Sequence, residues 1–421
     1  MPTISNADHR WRNSSFVVIK SFDRRKPPLV SFPNPKKVFT CRFDGKTCPK
    51  DLKFTLLPHD GLPRLRTFFI HWRDEAGPHE LGIRFLTRLG EGLSAKGQSN
   101  SDKHIFFANN GSIGAIDPKG ELVFIREFDI GVVDFRPQIV KGKTFYTYGL
   151  IRDFNTNVNS MASHVVLDET MQIVETHHRI VDSHEFLFLG RKHYLFTNYE
   201  AAKRDGDGKC LLKQYLIEEK DGKDVYVVST DDLISAEALP DYGSTVAFNG
   251  KNCIQNGHLN GVEVIDANRW LISFGDGPII MWLKKERRAE WVLGGEKDQF
   301  GLRPDQRTAL HHTPRWSESE KSILVFDNGN VEKRSRLIKY VLDLKQKSLR
   351  EFKTIDFGDG FAWAGGNVET DGKTISIGTG FWDKPNDDFV ELVDGKKTMS
   401  IRLCISCVAG RNYRVYRGPF R

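Results

Sequence analysis

The sequence predicts an all-β protein, a six-bladed β-propeller with a small N-terminal β-module. Three observations carry this. A unit of β-rich segment, polar turn and β-rich segment recurs six times, its turns lie about 50–65 residues apart, and most copies follow another β-rich pair. Four strands per unit and six units make a propeller of six blades. A β-sandwich joined to a barrel would give regularly spaced strands but no such longer-range echo.

The copies run in order through Ile116–Phe124, Val166–Val174, Leu216–Lys223, Met281–Trp291, Tyr340–Leu349 and Glu391–Met399. Pairs such as His193–Thr197, Trp270–Ser273 and Ile323–Phe326 precede them. Residues 1–95 lack the motif. Their β-rich runs, Ser15–Lys20, Leu52–Leu57 and Thr67–His71, predict a separate module, leaving 96–421 as the propeller. Two long connections interrupt the repeat, Asp231–Gly257 with a helix-like start and Glu296–Leu310. Loops of this length commonly form lids or binding walls, and both run into histidines.

Composition narrows the function classes. Over 421 residues, 39% hydrophobic and 11% aromatic content argues for a folded chain rather than a disordered one. The net charge of +7 is scattered over pairs that flank turns, without the concentrated stripe expected of a nucleic-acid partner. No apolar run approaches a membrane span. The N-terminus lacks a basic cap followed by an apolar stretch, so the expectation is a cytoplasmic protein. Cys41 and Cys48 flank Asp44-Gly45, a two-residue hairpin signal that would set them opposite each other. Cys404 and Cys407 fall in an expected strand, where an odd separation sends the thiols to opposite faces, as expected of buried thiols.

Polar residues gather at the mouths of strong strands between His258 and Tyr340, where loops present chemistry on a rigid scaffold. His258 and Asn260 are two apart and share a face in extended chain. They suit an oxygen anion, although a loop histidine and asparagine also commonly cap backbone groups. His311 and His312 are adjacent, so one of them faces any given cavity. His184 opens another blade as His258 does, and equivalent strand mouths of a propeller converge on one axis. Three converging histidines suit either a metal or a histidine nucleophile with proton donors. No helical His-x-x-x-His and no carboxylate partner supports a metal. Asp327–Asn330 is a turn sequence, and Arg315, Arg334 and Arg336 are candidate anion forks as well as ordinary surface arginines.

The ordered set Asp182-x-His184-Glu-Phe, His258-x-Asn260, Trp291-x-Leu-Gly-Gly295, Phe300, His312-x-Pro-Arg-Trp316, Phe326-Asp-Asn-Gly329 and Ser335-Arg336 resembles the arylsulfotransferases that work without PAPS. The resemblance covers residues 100–421 and implies a six-bladed propeller with an added β-domain. It implies ping-pong transfer of a sulfuryl group from a phenolic sulfate ester to a phenol, with no cofactor. His312 would be the nucleophile; His258, Asn260 and His184 would hold sulfate oxygens or move protons. Substrate contacts would then fall to Arg315, Arg336, Asn328 and His311. Relatives are often exported and some carry a disulfide, a role open to Cys41 and Cys48. Two departures stand out: Gly275 occupies the place of an arginine that grips sulfate, and His311 that of a glutamine. The rival expectations are a non-catalytic binding propeller and a metal-assisted hydrolase. The oligomeric state is left open.

Overall fold

Aspartates shape five of the six repeated polar turns. Asp117 Oδ1 accepts from the amides of Lys119 and Glu121, Asp168 Oδ1 from those of Thr170 and Gln172, and Asp343 Oδ1 from those of Lys345 and Gln346. Each of these carboxylates closes a local turn. Asp221-Gly222 and Asp394-Gly395 instead have positive φ at both residues, the geometry of tight two-residue hairpins. In a computed structural model of the chain, every one of the six copies is the hairpin between the third and fourth strands of a blade.

Side chains are described over residues 95–421, excepting 110, 122, 127, 129, 152–160, 203–209, 237, 240–244, 246–250, 384–386, 404–411 and 421; for residues 1–94 only strand pairing is described. The sequence expectations for Cys41, Cys48, Cys404 and Cys407 lie outside the described residues. Among the described residues no helix is long and apolar enough to cross a membrane.

Six antiparallel sheets form the propeller. From the axis outward, the second blade is Val132–Val140, Lys143–Asp153, Met161–Leu167 and Ile173–Asp182. The third begins at Phe186–Gly190, the fourth at Leu259–Val264, the fifth at His311–Ser317 and the sixth at Asn367–Thr370. The first blade is built from both ends of the propeller. Its inner strand, Val415–Gly418, pairs with His104–Asn109 in the register Tyr416 to Phe106, which closes the ring and removes a sheet edge. Leu93–Gly97 pairs with the outer strand Lys396–Leu403 of the sixth blade, so it crosses the sequence boundary at 95. The preceding strands Thr3–Asn6, Ser14–Ile19, Arg66–Asp74 and Gly77–Phe85 form a sheet of their own.

Apolar contacts between blades hold the ring. Trp282 packs with Leu195, Leu216 and Val228 of the third blade, while Trp291 packs with Val325, Ile338 and Tyr340 of the fifth. Both indoles are at most 1% exposed, each contributing roughly 2–3 kcal/mol by area. The long connection after the third blade holds a short helix, Thr230–Ser235, capped by Ser229. A hairpin, Ser244–Phe248 with Lys251–Gln255, follows it and extends the third blade. Cys253 on this hairpin forms a disulfide with Cys210, a pairing that the sequence patterns do not mark. The other long connection carries a single 3-10 turn, Pro304–Gln306.

Candidate active site

The mouths of several inner strands bring polar groups together at the axis. His184 comes from the loop before the third blade. Its Nδ1–H donates to Asp182, whose carboxylate oxygens lie at 2.8 and 2.9 Å. Asp182 is fully buried and also accepts from the His184 amide and the Thr197 hydroxyl, which fixes the carboxylate. The spacing Asp182-x-His184 produces this turn, because a carboxylate reaches the amide two residues on. His258, at the mouth of the fourth blade, meets His184 edge to face with the two Nε2 atoms 3.0 Å apart.

His312 sits at the mouth of the fifth blade and is 2% exposed. Its Nδ1 lies 2.8 Å from Asn328 Oδ1. Asn328 in turn donates its amide to the carbonyls of Ala362, at 2.8 Å, and Gly365, at 3.1 Å. Those two carbonyls settle which end of the amide is which. Asn328 Oδ1 must therefore accept from His312 Nδ1–H, and the Nε2 of His312 keeps its lone pair. Burial, with the Arg414 cation beside it, pushes the His312 imidazole well below its ordinary range, so it is neutral. Adjacent His311 does not join it. It is fully buried, its Nδ1 lies 2.8 Å from the Thr308 hydroxyl, and it borders a separate cavity of about 260 Å3 with Arg307 and Asp276.

Arg414, just before the closing strand, is a cation whose charge acts on His312, and sequence reasoning missed it. It is fully buried, donates from Nη2 to the Asn260 carbonyl at 2.9 Å, and lies over the Tyr413 ring. Its other contacts, Glu185 at 3.5 Å and Asp134 at 3.8 Å, belong to a network that Arg136 completes. Burial alone would raise the Glu185 carboxyl, but Arg136 and Arg414 outweigh it and hold it below its ordinary value. Two arginines thus face two carboxylates, Asp134 and Glu185, at the axis.

The arginines picked out from sequence lie elsewhere. Arg336 pairs with Asp327 across the strands at 3.0 Å. A bulge between His312 and Arg315 carries Arg315 past the histidines, to where its charge acts on Glu185, Glu263 and Glu369. Asn328 stands behind His312 with both ends of its amide engaged. Asn260 has no exposure: its Nδ2 donates to the His311 carbonyl at 2.6 Å and its Oδ1 accepts from Ser273 at 3.0 Å. Among the described residues, no group of three or more His, Cys, Asp or Glu side chains is arranged to hold a metal ion.

The sequence profile of the family Arylsulfotransferase (ASST) matches residues 135–363, more than half of the chain. The chain belongs to the arylsulfotransferase family. No protein of the curated set matches it. Among solved structures, the WD40 β-propeller domain of Doa1 is 11% identical at a TM-score of 0.38, covering 80% of this chain and 85% of that one. The β-propeller domain of Myceliophteria thermophila Cps50 (Swd1) is 10% identical at 0.38, covering 79% and 88%. A chain of the nidogen/laminin complex is 11% identical at 0.42, covering 76% and 99%. Likenesses this distant carry nothing about what this arylsulfotransferase-family chain binds or does.

Gly275, where the resemblance leads one to expect an arginine, sits in a crowded place. Its amide donates to the His258 carbonyl at 2.7 Å and its own carbonyl accepts from the His311 amide at 2.9 Å, tying the fourth blade to the fifth. A Cβ there would lie 2.9 Å from both Asn260 Nδ2 and Leu310 Cδ1. The space of an arginine stem is thus taken by Asn260. Gly275→Ala is expected to displace Asn260 from the His311 carbonyl and to cost about 1–3 kcal/mol. An unchanged urea midpoint would show that the space is free.

Burial also predicts an acid sensitivity. Burial, with His184 adjacent, pushes His258 down to about 3, and burial alone does the same to His311. In the unfolded chain both take up protons near pH 6.5. The unfolded state therefore binds more protons between these values, and stability falls as pH drops from about 6.5 toward 3. The expected loss is of order 1 kcal/mol per pH unit for each such histidine. Urea midpoints at pH 7 and pH 5 measure it, and equal midpoints would contradict neutral buried rings.

Proposed function

We propose that the protein moves a sulfuryl group from a phenolic sulfate ester to a phenolic acceptor through a sulfohistidine on His312 Nε2. The observation that carries this reading is the Asn328 clamp. It holds the Nδ1–H tautomer, so a neutral imidazole presents its Nε2 lone pair toward the axis, as a nucleophile must. The nitrogen attacks sulfur, the N–S bond forms and the S–O bond to the aryl oxygen breaks, its electron pair leaving with the phenolate. A phenol then attacks the sulfohistidine, its proton passing to the neighbouring pair of His184 and His258, the O–S bond forms, and the N–S electron pair returns to His312.

Charge develops on the leaving oxygen and the equatorial sulfuryl oxygens. We assign the balancing of this charge to His258 and to the field of Arg414, which acts on His312. Aromatic faces line the approach. Tyr413 lies 6.1 Å from the His312 ring and 5.8 Å from that of His184, centroid to centroid. Phe381 is 6.1 Å beyond Tyr413 and stacks on Trp363, which is 59% exposed. A ladder of rings from surface to nucleophile suits aryl donors and acceptors.

The test is incubation with an aryl sulfate that releases a chromogenic phenolate, with and without a phenol acceptor. Intact mass and peptide mapping are recorded before acceptor is added. Acceptor-dependent release and a sulfo adduct on the His312 peptide are the expected results. The balanced charges at the axis and the glycine at 275 favour a second reading, a propeller that binds an aryl anion without turning it over. Saturable binding with neither release nor adduct across a panel of aryl sulfates would select it.

A further inference from the structure

Behind His258 lie two buried glutamines that the reaction above does not use. Gln214 has an unambiguous orientation, because its Oε1 accepts from the Leu259 amide at 2.7 Å and its Nε2 donates to the Gly257 carbonyl at 2.9 Å. Gln255, on the hairpin that extends the third blade, donates its Nε2 to Gln214 Oε1 at 3.2 Å. A turned amide would set two carbonyl oxygens against each other, so the Gln255 NH2 group stays where it is. The same Nε2 lies 3.3 Å from His258 Nδ1. That ring nitrogen must accept, which leaves the His258 proton on Nε2, directed at His184 Nε2. His184 can receive it because its own proton is on Nδ1, facing Asp182.

We propose that Gln255, held by Gln214, is a positioning residue that locks His258 in the Nε2–H tautomer, dividing the work between the two histidines. His258 becomes a neutral hydrogen-bond donor to the sulfuryl oxygens. His184, backed by Asp182, becomes the base. The empty pair masks that base, because the His258 Nε2–H occupies the His184 lone pair. An arriving sulfuryl oxygen takes the His258 hydrogen bond instead and uncovers His184 Nε2. In the acceptor half-reaction the phenol proton passes to that nitrogen and the phenol oxygen bonds to sulfur. The N–S bond breaks with its electron pair returning to His312, and Asp182 offsets the new imidazolium charge. The division of labour rests on the transfer reading; the tautomer lock does not.

The groups facing the pair are Asp182, Tyr199, Tyr413 and His312. Glutamine supplies only a donor to Nδ1, whereas a glutamate would be an acceptor. The experiment is long-range 15N–1H correlation of histidine-labelled full-length protein, with His258 assigned through a His258→Gln variant. His258 is expected as the Nε2–H tautomer in the parent protein and as Nδ1–H or imidazolium in Gln255→Glu. Gln255→Leu, which keeps bulk but offers no donor, is expected to show mixed tautomers and serves if the glutamate variant does not fold. In the turnover assay, the acidic limb of kcat/KM in Gln255→Glu should move up by at least one pH unit, as His258 gains a proton slot that competes with base formation. A parent His258 in the Nδ1–H form, or tautomers that neither variant changes, would overturn the lock. A correct tautomer pattern with no turnover at any pH would leave the lock standing and reject sulfuryl transfer.

Discussion

His312→Ala is expected to abolish the sulfo adduct and to lower aryl sulfate turnover by roughly 10^3-fold or more, the scale on which enzymes depend on a covalent nucleophile. The stability change should be modest. Alanine removes one hydrogen bond, to Asn328 Oδ1, worth about 1 kcal/mol, plus the packing of one ring. Asn328 keeps its two carbonyl partners, so the loop that carries it stays tied. His311→Ala supplies the contrast. That ring faces the other cavity, so turnover should hold within a few-fold while the urea midpoint falls. If both variants lose turnover equally, or if His312→Ala keeps its adduct, the nucleophile is another group.

Arg414→Met has the largest expected effect on stability. The substitution keeps an apolar stem but leaves Glu185 and Asp134 with Arg136 as the cation they share, and removes the donor that Arg414 Nη2 gives to the Asn260 carbonyl. Breaking one side of a buried charged network costs about 3–5 kcal/mol, because the surviving charge stays out of water. Chemical denaturation measures this, and adding Glu185→Gln to the same chain should return part of the loss by neutralising one of the two carboxylates left on Arg136. A midpoint unchanged by Arg414→Met would show that the guanidinium does not balance the axis.

What could be read from sequence was set by local geometry. Five of the six polar turns are legible because an aspartate either reaches amides two to four residues on or stands before a glycine at positive φ, and such hairpins recur from blade to blade. His184, His258 and His312 are legible as polar groups placed where strong strands begin. The amide behind His312 is half legible: the turn Asp327–Gly329 marks the place, but which way Asn328 points depends on carbonyls 34 and 37 residues away. Arg414, Gln214 and Gln255 are not legible, since each is held by partners distant in sequence, and the disulfide, across a separation of 43, is hidden for the same reason. Arg315 and Arg336 look like anion forks by residue type. One bulge and one cross-strand aspartate direct them elsewhere, and neither follows from periodicity.

The closing strand also sets a timetable. A ribosome delivers His184, His258 and His312 well before Arg414 and Val415–Gly418, so the nascent chain carries these histidines on an open arc of blades. Until the last strand docks beside His104–Asn109, no cation stands next to His312 and the Asn260 carbonyl lacks its donor. Closing the ring and completing the charge network at the axis are therefore one event, and a chain clipped short of residue 414 would lose both together.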